Sequence, residues 1–536
     1  MDKKKRLITM VVTLLVLTIG VTFAYFMAKT GEGKQAGTTI TTGTVDDLKF
    51  NVSKENLSLN INQFNFASGA GNLTDNVTAT ASLKANSTKN TATYNYYVYF
   101  QIESNDYVYT TTDKKPEIVL SITGPNGEIT SVDGLTYVSA TNADGTVVKG
   151  FDITESKPSV VKIANAYEIS SSSSTNYTNQ EWTFTVTFIN LDTNQVDNQN
   201  KNLTGKVLIQ QDKIILLKDY IISQYTGTQG ENGIYYHDAS LTNGAGDNSY
   251  RFAGADPNNY VCFGSDEATC PHENLYRIIG VIDGKVKLIL ADGATTDMLG
   301  TNEGYVNTYQ AANGSLSSYY KENGDLTKIG SYKWNKTGYN TWSTSTTNTT
   351  NLNTNYLTYL DSKNTKWKNM ITDTTWYVGG MTGTNGFESN AKTAYDYEVG
   401  ANKDASTTVT SKIGLMYVSE YYYAATPDYW TLPGYNDSNG NDYRKSKNDN
   451  WLYTGLYEWS ISSTSDASGF AFGVASVGHV FDGLAEFSDG NAVRPSFSLS
   501  SSIKFISGEG TAVNPIRINW LTDSFNSTLI KPRKKR

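Results

Sequence analysis

Between residues 44 and 211 apolar and polar positions alternate in short runs divided by polar turns, the period-two pattern of strands with one buried face. Residues 94–102, 117–122, 182–188 and 205–209 are the strands this predicts, and Gly124-Pro125-Asn126-Gly127 after the second of them predicts a hairpin turn. Strands of this length and spacing predict a β-sandwich. Residues 214–222 break the alternation with apolar positions that fit a short amphipathic helix, and a Gly-rich stretch follows at 226–233. Residues 212–247 therefore read as helix and linker, with a boundary near residue 225.

A second domain of α+β type is expected over 248–518, in a chain that is mainly β. Residues 275–282 and 285–290 alternate around Asp283-Gly284, the strongest short-range hairpin signal. Leu352, Tyr356, Leu357 and Leu360 read as one helix face, continued by Trp367, Met370 and Ile371. The Asn-, Thr- and Ser-rich run 335–350 predicts a long loop, and 413–421 reads as strand-like. Residues 493–499 and 503–506 close the domain as strands. A tail, 519–536, follows.

At the amino end, Lys3-Lys4-Lys5-Arg6 precedes an uncharged apolar run, residues 7–27, long enough at helical rise to cross a bilayer with the basic flank inside. Two readings stand. Residues 1–24 form a signal peptide cut after Ala24, within Val21-Thr22-Phe23-Ala24, or the segment to residue 28 stays as a membrane anchor. Either one places the body outside the membrane, so membrane contact is expected only through this segment.

Composition narrows the function classes. The 536-residue chain carries a net charge of −8, and nine of its basic residues sit at the two ends, in 3–6 and 531–536. The body between is more acidic than that total, which argues against nucleic acid as a partner. The basic residues of the tail either touch anionic wall polymers and lipid head groups or are simply solvated. With 3 His and 2 Cys, a zinc enzyme with several such ligands is disfavoured. Cys262 and Cys270 lie eight apart around Gly264, and in an exported chain they are expected to form a disulfide closing a small loop. No CxxC and no basic neighbour activates either thiol.

Gly20-Val21-Thr22-Phe23-Ala24-Tyr25-Phe26, then Thr38 to Thr42 and Gly43-Thr44-Val45-Asp46, resembles the start of camelysin/TasA-type proteins of Gram-positive bacteria. Residues 182–190, Asp192, Asn194, Gln195 and Gly205-Lys206-Val207 are similar to the final strands of that family's jelly roll. The resemblance implies cleavage after Ala24, export, and a place in biofilm matrix fibres or surface layers, with exposed edge strands joining copies head to tail. Camelysin is classed as a metalloprotease, but this block has neither an HExxH helix nor any His, so that activity is not carried over. Asp192, Asn194 and Asp197 are spaced for calcium; a polar turn between two strands is the simpler reading.

Tyr429-Trp430-Thr431-Leu432, Trp459-Ser460 and Gly490-Asn491-Ala492-Val493-Arg494-Pro495 resemble bacterial surface domains of the C-type-lectin-like and formylglycine-generating-enzyme-like fold. The enzyme branch uses cysteines near the C-terminal part of that domain. Here both lie at its other end, so oxidase chemistry does not carry over. His479 with Asp482 and Ser476 sketches a hydrolase, yet no G-x-S-x-G elbow frames a serine, and an Asp482–Glu486 acid pair would need to converge in one cleft. His479 and His272 are expected as loop or strand residues.

Recognition is the better expectation, because flat aromatic rings stack on sugars or partner surfaces while Asp, Asn and Arg supply directional hydrogen bonds. The candidate binding residues are Trp430, Trp451, Trp459, Asp489, Asn491 and Arg494. Core filling competes for each Trp, and a structural pairing with a buried carboxylate competes for Arg494. The chain is thus expected to be a non-enzymatic surface or matrix protein that binds a surface glycan or a protein without a cofactor. A self-assembling fibre subunit and a surface hydrolase are the alternatives.

Overall fold

The alternating segments of the first 213 residues pair into two antiparallel sheets that share one apolar core. The computed structural model describes residues 46–62, 73–89, 91–309 and 328–520. The apolar amino-terminal run with Ala24 and the basic residues beyond 520 lie outside them. The strands of the first unit are β1 (Asp47–Val52), β2 (Leu57–Asn60), β3 (Leu73–Lys84), β4 (Ala92–Asn105), β5 (Ile118–Gly124), β6 (Gly127–Glu128), β7 (Thr136–Thr141), β8 (Val147–Asp152), β9 (Ser159–Ser171), β10 (Thr178–Phe188) and β11 (Asn202–Gln210). One sheet runs β1-β3-β10-β5-β8-β7, with β6 beside β5, and the other runs β2-β11-β4-β9.

β10 shows why the pattern folds this way. Trp182, Phe184 and Val186 face the core, while Thr183 and Thr185 face outward. The Trp182 indole N–H donates to Tyr96 Oη at 2.9 Å, and the Tyr96 hydroxyl donates to Gln180 at 2.8 Å, so the polar edge of the ring is satisfied inside the sandwich. Gly124 lies against that ring, and a Cβ there would stand 2.8 Å from it. The buried Glu117 ties down the polar turn after β10, accepting from Gln195 Nε2 at 2.8 Å and Asn198 Nδ2 at 2.7 Å.

The four edges differ. β2 is four residues long, β9 has two register shifts and a left-handed Ala166, and β1 carries Asp47 and Lys49. These are devices that blunt an edge against pairing. β7, Thr-Tyr-Val-Ser-Ala-Thr, has no charge and pairs with β8 over six residues with no shift in register.

The second unit begins at Ile214. The segment expected as helix and linker is part of its core: helix α1 (Leu217–Ser223) buries Leu217 and Ile221, and β12 (Ile234–His237) opens the main sheet. That sheet continues through β13 (Ser249–Phe252), β15 (Leu275–Ile282) and β16 (Lys285–Leu290) to strand Ser496–Ser498, with β14 (Tyr260–Cys262) beside β15. The expected hairpin is β15–β16, and Asp283 and Gly284 both take positive φ in its turn. Smaller antiparallel pairs and short helices complete a unit that mixes strands and helices, in a chain that is mainly β as a whole.

Two expectations change. The polar run 335–350 is a loop only in part, because residues Trp342–Thr344 and Thr347–Tyr356 are helical. The amides of this helical stretch turn inward: Asn348 Nδ2 donates to the Trp342 carbonyl at 2.9 Å, and Asn351 Nδ2, one residue past the run, to the Leu299 and Glu303 carbonyls at 3.0 Å. Part of the segment 413–421 belongs to a helix, Val418–Tyr423, rather than a strand. Two buried carboxylates hold its first turn: Glu398 accepts from the Val418 and Ser419 N–H groups at 2.8 Å, and Glu420 from that of Tyr417 at 2.9 Å.

Candidate recognition surface

The three Trp residues expected to bind ligand are buried. Trp430 and Trp459 are 0% exposed and Trp451 is 5% exposed. Each indole N–H donates 2.8 Å to a backbone carbonyl, of Ala425, Tyr332 and Phe252 respectively. The Trp430 ring packs against Tyr235, His237 and Tyr423, and Arg277 lies over Trp451 at 4.8 Å. With rings filling the core and N–H groups satisfied internally, these side chains present nothing to a ligand. That corrects the expectation for all three.

Asn491 and Arg494 are corrected in the same way. Asn491 exchanges backbone hydrogen bonds with Tyr332 at 2.9 Å, and its side-chain nitrogen is buried without a partner. Arg494 donates through Nε to Glu458 Oε1 at 2.7 Å and through Nη2 to the Leu452 carbonyl at 2.9 Å. Both members of this ion pair are buried, so the structural alternative weighed for Arg494 is the one observed. Burial raises the Glu458 pKa, and the Arg494 charge and hydrogen bond pull it back. Cys262 and Cys270 are disulfide-bonded, with Cα atoms 5.8 Å apart.

Asp489 is exposed, and its turn forms part of a different surface. Strands Glu458–Ser463, Phe470–Val474 and Val480–Leu484 form a small sheet whose last strand runs into the turn 485–490. The Asn335 N–H donates to the Ala485 carbonyl at 2.9 Å, bringing the turn 335–340 alongside. Asn335 Nδ2 closes that turn on the Tyr339 carbonyl at 2.8 Å. Asn340 Nδ2 reaches the Thr464, Ala467 and Phe470 carbonyls at 2.8–3.0 Å. Gly490, at φ +61°, permits the return past Tyr332, where a Cβ would stand 2.8 Å from a backbone nitrogen.

These internally bonded turns display Tyr339 at 64%, Leu484 at 47% and Phe487 at 40% exposure. The carboxylates of Glu486 and Asp489 lie among them on the same turn, and Glu486 faces Gly338. Exposed rings beside acceptor oxygens on a rigid frame are the ingredients that the Trp positions were expected to supply. Tyr339 and Phe487 sit in polar turns outside any periodic run, so nothing in the pattern separated them from ordinary loop residues.

The hydrolase constellation does not assemble. No hydrogen bond joins His479 to Ser476 or Asp482; the His479 ring packs on Tyr435 at 4.7 Å with Nδ1 buried and unpartnered. Burial and then the Arg444 charge lower its pKa. Burial raises the pKa of Asp482, whose charged neighbour is Asp466, while Glu486 lies against the other turn. His272 bonds Asp292 at 3.3 Å beside the disulfide. His237 is fully buried, accepts the Ala245 N–H at 3.0 Å, and is held to a pKa of about 3 by burial. A surface cavity of about 450 Å³ lies beside the disulfide loop, lined by Ser265, Asp266, Glu267, Glu273, Lys363 and Trp367. Among the described residues no three His, Cys, Asp or Glu side chains are grouped to hold a metal. Comparisons with family models, with curated proteins and with solved structures return no match to this chain.

Proposed function

We propose that the chain is an exported cell-surface or extracellular-matrix protein whose second unit recognises a surface glycan or protein without catalysis. The observation that carries this reading is the cluster of exposed Tyr339, Leu484 and Phe487 beside Glu486 and Asp489, held on turns that are hydrogen-bonded to one another. Apolar ring faces with adjacent acceptors suit hydroxyl-rich ligands, and preformed turns lose little entropy on binding. A C-type-lectin-like architecture for this unit and a jelly roll for the first are the finer folds that the sequence motifs favour. The acidic body favours partners other than nucleic acid.

The test is a glycan array probed with the full chain and with its Tyr339→Ala and Phe487→Ala variants. Each ring is expected to contribute about 0.5–1.5 kcal/mol beyond its buried area, so either substitution weakens a captured glycan about threefold or more. Undiminished binding by both variants would remove this surface from consideration.

A second reading, a fibre subunit of a biofilm matrix, is supported by β7, the uncharged and unbulged edge of the first sandwich. A strand of a second copy added there would extend the sheet through backbone hydrogen bonds. Val138→Pro removes one N–H and Val138→Lys adds an edge charge. Loss of filaments from both variants under the electron microscope is the expected result, and filaments as abundant as those of the parent chain would refute it.

A further inference from the structure

Lys287 lies on β16 in the main sheet of the second unit, with its amine end buried between the rings of Trp376 and Tyr417, each 4.8 Å away. Nζ donates to Oε1 of Glu420 at 2.6 Å, and the other oxygen of that carboxyl accepts the Tyr417 N–H at 2.9 Å. Both side chains are under a tenth exposed. An ammonium has three donors, and among the described residues Glu420 takes the one hydrogen bond that Nζ makes. The arrangement buries two charged groups and leaves donors unmet, a costly state that a neutral link between the same atoms would relieve.

We propose that Lys287 and Glu420 condense to an intramolecular amide, an isopeptide bond that joins β16 to helix Val418–Tyr423 across 133 residues of chain. Nζ attacks Cδ of Glu420; the Nζ–Cδ bond forms and the Cδ–Oε1 bond breaks. Oε1 leaves as water, taking two of the three protons of the ammonium–carboxylate pair, and the third stays on the amide nitrogen. Nothing is oxidised or reduced, and no co-reactant is required.

Three features favour the step. The reacting groups are held in contact by the fold, which replaces a bimolecular encounter with an intramolecular one. The Tyr417 N–H points at Oε2, the oxygen that carries charge in the tetrahedral intermediate and remains as the amide carbonyl. Burial lowers the Lys287 pKa, opposed by Glu420 and Glu398 and reinforced by Arg251, which favours the nucleophilic free amine. Exclusion of water then disfavours the reverse hydrolysis.

Mass spectrometry of the folded full chain decides the matter. After denaturation, disulfide reduction and digestion with a protease that does not cut at lysine, a branched peptide is expected in the majority of molecules. It joins the segment around Lys287 to that around Glu420 and weighs one water less than their sum. Lys287 in such molecules resists amine acylation of the denatured chain. Recovery of the two peptides unlinked, with Lys287 acylated, overturns the proposal. Lys287→Met and Glu420→Ala chains must lack the branched peptide, and its survival in either would reject these two residues as the partners. The decisive measurement is on the unaltered chain, so a variant that fails to fold leaves the test intact.

Discussion

Replacing Arg494 by Ala separates a structural arginine from a ligand-binding one. The guanidinium is 1% exposed, 2.7 Å from a Glu458 carboxylate that is itself 2% exposed, and it also bonds the Leu452 carbonyl. Removing it leaves a buried carboxylate without its counter-charge, which costs about 3–5 kcal/mol. Because burial already pushes the Glu458 pKa up, losing Arg494 raises it further. The deficit is therefore smallest in acid, where Glu458 binds a proton, and grows as pH rises through the elevated folded pKa. Urea unfolding followed by tryptophan fluorescence reads this directly, since eight of the nine Trp lie beyond residue 213. The double variant Arg494→Met/Glu458→Leu, which buries no charge, is expected to recover most of the loss. A single-variant deficit below about 1 kcal/mol, or a double variant as weak as the single, would refute the reasoning.

Two further outcomes follow from the same geometry. Replacing both Cys262 and Cys270 by Ser opens a loop of eight residues' separation and should cost about 2.5 kcal/mol by loop-closure entropy, with the rest of the second unit still folded; thermal unfolding with and without reductant measures it. Burial raises the Asp292 pKa to about 6, with His272 and Arg494 pulling it back. An unfolded aspartate titrates near about 4, so this carboxyl supports folding in acid and that support is lost as pH rises through 6. Asp292→Asn should therefore gain stability relative to the parent chain between about pH 4 and 7; an unchanged pH profile in chemical denaturation would count against this assignment.

Local chemistry made much of the fold legible. β4, β5, β10 and β11 fall where alternation places them, and the β15–β16 hairpin turns on its Asp-Gly. In each case neighbouring residues alone carry the signal, since a period of two or a turn needing positive φ is written within ten residues. The disulfide is similar, with two cysteines eight apart able to pair with little else. Where side-chain chemistry and tertiary partner had to be combined, expectation failed. The run 335–350 is polar yet partly helical: the Asn348 amide bonds the Trp342 carbonyl within it, and Asn351, just beyond it on the same helix, bonds the buried Leu299 carbonyl from a distant segment. The segment 413–421 carries strand-forming residues, but Glu398 lies in another helix and caps a helix start there.

The candidate site divides along the same line. Sequence by itself determined that the body is acidic, rich in aromatic residues and poor in His and Cys, and that eight of the nine Trp lie in its second half. Only the tertiary structure decided which of them meet solvent. A Trp has the same ring whether it stacks on a sugar or fills a core, and its side is chosen by the carbonyls and rings that distant segments bring to it. Trp430, Trp451 and Trp459 found such partners and went inside. Tyr339 and Phe487, on turns closed by their own backbone bonds, did not, because no segment of the second unit covers those turns among the described residues.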